Sequence, residues 1–244
     1  MEKRPHALLL KFPGTNCDAE TARALREVGF SADVLPISQV DPSKLEGVDL
    51  VVLSGGFSYG DYVMAGRLAQ LVSENRLGDS LKQFRDAGGY LLGICNGFQI
   101  LTRMGLLPEG SLIHNDSGRF KCNWVKLKKG SQKDSPFLRG LPDEFELPIA
   151  HAEGRFVTKD ASEAEALVAS GLGVLTYAED INGSFSQIAG IQDESGRVLG
   201  LMPHPERFMS KDHHYDPDWK NEAGGEHGTG YYMFQSIFEE ISKR

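Results

Sequence analysis

Three cysteines, Cys17, Cys95 and Cys122, stand far apart in a chain of 244 residues. An odd number at wide spacing suits neither a disulfide framework nor a zinc site, so a free thiol with a chemical task is expected. Cys95 has the best setting. The segment Leu92-Gly93-Ile94-Cys95-Asn96-Gly97-Phe98-Gln99 runs from an apolar strand through Gly-x-Cys-x-Gly into a helix that should reach about residue 104. This is the layout of a nucleophile elbow with sulfur in place of oxygen. The flanking glycines leave room for a sharp, strained turn. A helix starting directly after Cys95 would aim its free N–H groups and positive dipole end at the sulfur, favouring the thiolate. The N–H of Asn96 would then hold the oxyanion formed when the thiolate attacks a carbonyl. A small buried hydrophobe at a strand end is the plainer reading of a free cysteine, and Gly-x-Cys-x-Gly alone leaves the two about even. Cys17 lies near a helix start but lacks a buried strand or bracketing glycines to present it, and Cys122 reads as structural.

A thiolate needs a proton-transfer partner. Of seven histidines, His204 stands out: it follows the apolar run Val198-Leu199-Gly200-Leu201-Met202 and sits in Pro203-His204-Pro205-Glu206. Prolines on either side stiffen the backbone and aim the ring. Glu206, two residues on, can hold one ring nitrogen and set the tautomer while the other faces the sulfur. His-Pro pairs also occur in surface turns, and His151, in Ala150-His151-Ala152-Glu153-Gly154-Arg155, is a rival base with its own nearby carboxylate. Asp212-His213-His214-Tyr215 is a polar loop, and no metal site is expected there. A third element, Ser54-Gly55-Gly56-Phe57-Ser58-Tyr59-Gly60-Asp61, follows another apolar strand. Its Gly55-Gly56 pair permits close backbone approach and can supply a second oxyanion N–H, from Gly56. It has neither the Lys-Ser/Thr ending of a phosphate loop nor dinucleotide spacing.

The elements that must position these groups alternate in the first half of the chain. Strands are expected at residues 7–12, 32–37, 50–53 and 90–94, and helices at 18–28, closed by Gly29, and at 77–87. Continuously apolar strands belong inside a parallel sheet covered on both faces. The fold class is therefore α/β: an open, doubly wound, mostly parallel sheet with helices on both faces. From about Lys121 strands with hairpin punctuation take over, a small antiparallel region that includes 186–192 turning into 197–202. Phe234, Ile237, Phe238 and Ile241 mark a final helix. No linker, repeat or low-complexity stretch interrupts residues 1–244, which read as a single domain.

Composition narrows the partners. With 34 acidic against 26 basic side chains the net charge is -8, which repels phosphate backbones. The one basic run, Lys126-Leu127-Lys128-Lys129, reads as a solvated strand end, so no nucleic acid is expected. No apolar run approaches the roughly 18 residues of a membrane span, and no signal-peptide pattern opens the chain. Neither membrane nor export is expected, and the cytoplasm is the default address.

The residues Gly93-Ile94-Cys95-Asn96-Gly97-Phe98-Gln99, Ser54 to Asp61, and Met202-Pro203-His204-Pro205-Glu206-Arg207 together resemble the class I, triad-type glutamine amidotransferases, over nearly the whole chain. Within that group the chain looks most like the glutaminase of phosphoribosylformylglycinamidine synthase. That narrower likeness rests on Phe12-Pro13-Gly14-Thr15-Asn16-Cys17, on Asn96 after the nucleophile, on His151 with Glu153-Gly154, on Asn182-Gly183-Ser184 and on Ile188-Ala189-Gly190-Ile191. The resemblance implies that Cys95 attacks the glutamine side-chain amide and that His204, oriented by Glu206, protonates the departing ammonia. Water would then release glutamate from a glutamyl thioester, with Gln99 helping to hold the substrate and His151 a candidate for coupling to a partner. It also implies a separate ATP-dependent synthetase subunit, with a further small subunit as a candidate member. No cofactor belongs to this chain, and ATP and Mg²⁺ belong to the synthetase. At position 152 the family usually has glycine, and here it is Ala152. Other acceptors for the ammonia, a γ-glutamyl hydrolase and an inactive docking module remain as alternatives. The intact set Cys95, His204 and Glu206 speaks against the last, and the His-Pro-Glu element speaks against a redox-sensing thiol protein.

Overall fold

The computed structural model describes residues 4–61, 64–130, 132–219 and 225–244. In chain order its strands and helices are β1 (His6–Lys11), α1 (Asp18–Val28), β2 (Ser31–Pro36), β3 (Leu50–Leu53), α2 (Arg67–Leu77), α3 (Ser80–Asp86), β4 (Tyr90–Ile94), α4 (Asn96–Arg103), β5 (Ser111–Ile113), β6 (Lys121–Lys129), β7 (Glu144–His151), β8 (Arg155–Val157), α5 (Ala161–Ala169), β9 (Leu175–Tyr177), β10 (Ile188–Gln192), β11 (Val198–Leu201) and α6 (Thr229–Ser242). One large sheet has the order β2-β1-β3-β4-β11-β10-β9-β6-β7, and β5 pairs with β8 separately. Pairing is parallel from β2 through β11 and antiparallel from β11 through β7. The expected fold class is present: a doubly wound α/β sheet flanked by helices, with an antiparallel extension.

Local chemistry explains the elements. The strands β3, β4, β10 and β11 are buried at every residue, as central strands covered on both faces must be. In α1, Asp18 and Glu20 occupy the first turn and Arg26 the last, each opposing the helix dipole, and Gly29 caps it at φ 121°. The helix expected at 77–87 is α3 alone, over Ser80–Asp86, while Leu77 is the last residue of α2, a helix that was not expected. Gly78, at φ 51°, ends α2 by donating its N–H to the Glu74 carbonyl at 2.8 Å, and α3 begins only at Ser80. The strand expected from 186 begins at Ile188, because Ser186 and Gln187 take positive φ.

Register decides where the loops meet. Leu10 lies beside Leu53, Leu53 beside Gly93, and Ile94 beside Leu201. The carboxyl ends of β1, β3, β4 and β11 are therefore nearly level, and the segments leaving them share one edge, where ligands of open α/β sheets bind. Helix α1 packs with α6, and α2 with α4. The antiparallel half wraps back to the same edge, where the His204 N–H donates to the Pro148 carbonyl of β7 at 2.8 Å. Among the described residues no helix is long and apolar enough to cross a membrane. Lys126 and Lys128 point outward from β6 while Val125 and Leu127 are buried, the alternation of a half-covered strand.

Leu92, fully buried on β4 between Val52 and Leu199, tests the core. Leu92→Ala should cost about 3 kcal/mol, read as a lower urea midpoint. An unchanged midpoint would contradict this packing.

Candidate active site

Cys95 sits between β4 and α4 with φ 51° and ψ −106°, a conformation few non-glycine residues adopt. Its N–H donates to the Leu201 carbonyl at 2.8 Å, which fastens the turn to β11. The turn closes tightly because Gly97 lies against β3, where a Cβ would stand 1.8 Å from the Leu53 carbonyl oxygen. The sulfur lies 3.8 Å from the Ala150 carbonyl.

His204 and Glu206 follow β11. Nδ1 of His204 is 2.7 Å from Oε1 of Glu206, and both residues are buried. Burial by itself would lower the imidazole pKa, but Glu206, Cys95 and hydrogen bonding to the Cys17 and Cys95 sulfurs hold it well above its ordinary value. These neighbours favour the charged, proton-donating form of the ring. Nε2, on the edge away from Glu206, has no fully formed hydrogen bond among the described residues.

The glycine loop after β3 meets the imidazole edge-on. A Cβ on Gly55 would lie 2.7 Å from Cε1 of His204 and 3.2 Å from the Cys17 sulfur. Gly56 takes φ 144° and bridges Thr15 of the loop after β1. The Phe57 N–H donates to the Gly14 carbonyl at 3.0 Å and the Cys17 N–H to the Gly55 carbonyl at 3.2 Å, so the two loops brace each other. Asn96 and Gln99 are buried beside this loop. Asn96 Nδ2 donates to Gln99 Oε1 at 2.9 Å, and Gln99 Nε2 donates to the Glu153 carbonyl at 2.6 Å. Burial, opposed by the Gly66 N–H and helped by Glu153, pushes the Asp61 carboxyl up to about 6.

All the residues picked out from the sequence therefore gather at one edge of the sheet. His151 is there too, but not as the carboxylate-backed rival of His204. Its Nδ1 pairs with Asn115 Oδ1 at 3.0 Å, and Glu153 turns instead toward the Ala65 N–H and His114. Burial, then the positive His204, pushes the His151 pKa down to about 4.

Cys17 is the residue whose setting the sequence reading passed over. Its sulfur, a His204 nitrogen and a Glu206 oxygen lie within 4.8 Å of one another. Such a donor set is of a kind that can hold a metal ion. Here Arg207 donates to the sulfur at 3.2 Å and Glu206 already holds His204, which opposes a cation. The signal that would have found Cys17 is its place just beyond β1, on the same edge as the other loops. His214, in the loop where no metal was expected, is buried with Nε2 2.9 Å from Glu146 and packs against Trp124, Phe208 and Trp219.

Residues 4–239 match the CobB/CobQ-like glutamine amidotransferase domain. The chain belongs to this family. Its relatives include a protein of Thermotoga maritima named phosphoribosylformylglycinamidine synthase subunit PurQ, 37% identical over 242 residues, covering 98% of this chain and 100% of the relative. A Synechococcus protein of the same name is 46% identical over 238 residues, covering 96% of each. Among solved structures, PurLQS from Thermotoga maritima contains a chain that aligns with a TM-score of 0.79 at 36% identity, covering 98% of this chain and all of that one.

Two outcomes follow for an amidotransferase built this way. Gly55→Ala should lower glutamine turnover about 100-fold or more by displacing the imidazole, with the circular dichroism spectrum unchanged; wild-type turnover in that variant would refute the contact. The His151 ring should show no NMR titration between pH 8 and 5, since its proton binds only near pH 4. A midpoint near 6.5 would mean that it is not buried beside a charged His204.

Proposed function

We infer that this chain is the glutaminase component of a phosphoribosylformylglycinamidine synthase in purine biosynthesis. It hydrolyses glutamine and passes the ammonia to an ATP-dependent synthetase subunit, which converts formylglycinamide ribonucleotide to formylglycinamidine ribonucleotide. The observation that carries this reading is a full-length likeness to chains of that name, joined to a cysteine on a strained elbow beside a buried His204–Glu206 pair.

The geometry supports the following roles. Cys95, as the thiolate paired with the imidazolium of His204, attacks the carboxamide carbon, and the oxygen that becomes negative is held by the N–H groups of Asn96 and Gly56. His204, already protonated, gives its proton to the leaving nitrogen, so that ammonia departs and a glutamyl thioester remains. The now neutral imidazole takes a proton from water, which attacks the thioester. Glutamate is released, and the Cys95 sulfur and the charged ring are restored. Gln99, anchored between Asn96 and Glu153, holds the substrate indirectly by fixing the wall beside the elbow.

Residues 1–244 act as one glutaminase domain with no cofactor of its own, ATP and Mg²⁺ being the synthetase's. The PurLQS structure supports a complex with the synthetase and a further small subunit. So does an exposed apolar pair: Phe57, on the glycine loop, stacks on Phe120 with ring centroids 6.5 Å apart, each ring about half exposed. A cytoplasmic location suits a chain that serves soluble nucleotide substrates.

Intact-mass spectrometry after exposure to an electrophilic glutamine analogue tests the reading. A single adduct should map to Cys95, be blocked by glutamine, vanish in Cys95→Ser and form about 100-fold more slowly in His204→Ala. His151→Ala should still form the adduct and lose coupling to the synthetase instead. No adduct with or without the synthetase would end the glutaminase reading.

A further inference from the structure

The imidazole of His204 faces two sulfurs, and the reaction above uses one of them. The other, Cys17, is 1% exposed and held from several directions. Its S–H donates to Asn16 Oδ1 at 3.3 Å, while Nη2 of Arg207 donates to the sulfur at 3.2 Å. Its carbonyl accepts from the N–H and the hydroxyl of Thr21, at 3.0 and 2.6 Å. Arg207 is itself tied to α1, with Nε 3.1 Å from Glu20 Oε1. The sulfur is thus clamped between the loop after β1, the first turn of α1 and the segment after β11.

This clamp borders the imidazole directly. A Cβ built on Gly55 meets both His204 and the Cys17 sulfur, so these three groups fill one small space. We propose that Cys17 is a positioning residue for the glutaminase reaction, its clamped sulfur forming the wall that keeps the His204 ring aimed at Cys95. The inference rests on the glutaminase reading of this site and adds a residue that touches neither substrate nor the reacting atoms.

The chemistry of the wall suits that task. Sulfur is large and polarisable, so it fills the space against a flat ring better than a hydroxyl does. Burial pushes the Cys17 thiol up, against the pull of His204 and Arg207, so it stays neutral and does not compete with Cys95 for the imidazolium charge. The other titratable groups bearing on His204 are Glu206, Cys95 and His151, the last kept neutral by its own burial. The Cys17 sulfur beside the ring favours its charged form, so its loss should shift the ring's titration to lower pH.

The test uses the full chain, alone and with its synthetase, as wild type, Cys17→Ala and Cys17→Ser. Glutamine hydrolysis gives kcat and KM, and NMR follows the His204 ring against pH in the absence of glutamine. Cys17→Ala should lower kcat about tenfold or more with KM within about threefold, and should move the His204 midpoint to lower pH. Cys17→Ser, which keeps a donor for Asn16 and an acceptor for Arg207, should recover part of kcat. A kcat within twofold of wild type, or a loss of kcat with the His204 titration unmoved, overturns the proposal, the second outcome marking Cys17 as packing alone. If Cys17→Ala does not fold, the same readings on Cys17→Ser decide. Failure of the wild type to hydrolyse glutamine under either condition would sink the glutaminase reading instead, because the ring titration is read without substrate.

Discussion

The structure turns on one buried hydrogen bond, the 2.7 Å contact between His204 Nδ1 and Glu206 Oε1. Two ionisable groups removed from water carry a desolvation cost of several kcal/mol each, recovered only when their geometry is good and their neighbours complement the charge. The surroundings meet that demand through backbone rather than mobile side chains. The His204 N–H is held by Pro148 of β7, prolines flank the imidazole, and Gly55 gives the ring a face to lie against without a Cβ in the way. The rest of the fold brings those pieces to one place. The parallel half of the sheet delivers the elbow, the glycine loop and the His-Pro-Glu segment, and the antiparallel half closes over them with Pro148, Ala150 and His151.

Two cysteines near one imidazole raise the question of which reacts, and their environments separate them. Cys95 stands at the start of α4 in a strained turn and keeps 7% of its surface exposed, so a substrate can reach it. Cys17 is buried at the back, where its S–H donates to Asn16 and its sulfur accepts from Arg207. The same principle separates the two histidines. A carboxylate pairs with His204 and favours its charged form, whereas burial, and then the His204 ring beside it, favours the neutral form of His151, whose Nδ1 pairs with the Asn115 amide. Identical side-chain chemistry is divided into reacting and supporting roles by burial and partner.

Much of this was legible in the sequence. The limits of α1 and β3 follow from helix-end chemistry and an unbroken apolar run, and β4, Cys95 and α4 can be read as one elbow because glycines bracket the cysteine. Legibility failed where a single residue's backbone state overrode a pattern. The helix expected at 77–87 starts only at Ser80, because Gly78 takes positive φ and closes α2 at Leu77. Ser186 and Gln187 likewise take positive φ and delay β10. The pairing of His151 with Asn115 was hidden because the two are 36 positions apart and no local pattern joins them.

What the sequence determined by itself is the set of local devices: a cysteine between glycines after a buried strand, a paired glycine after another, and a histidine between prolines with a carboxylate two residues on. Each depends on neighbours in the chain, and local sterics and hydrogen bonding are readable there. What only the tertiary structure decided is which devices meet. Strand register makes the ends of β1, β3, β4 and β11 level, and that level edge brings Cys17 and Arg207, 190 positions apart, into contact behind His204. No spacing rule could show this, because long-range contact is set by how strands pair and pack, and that depends on the whole core at once.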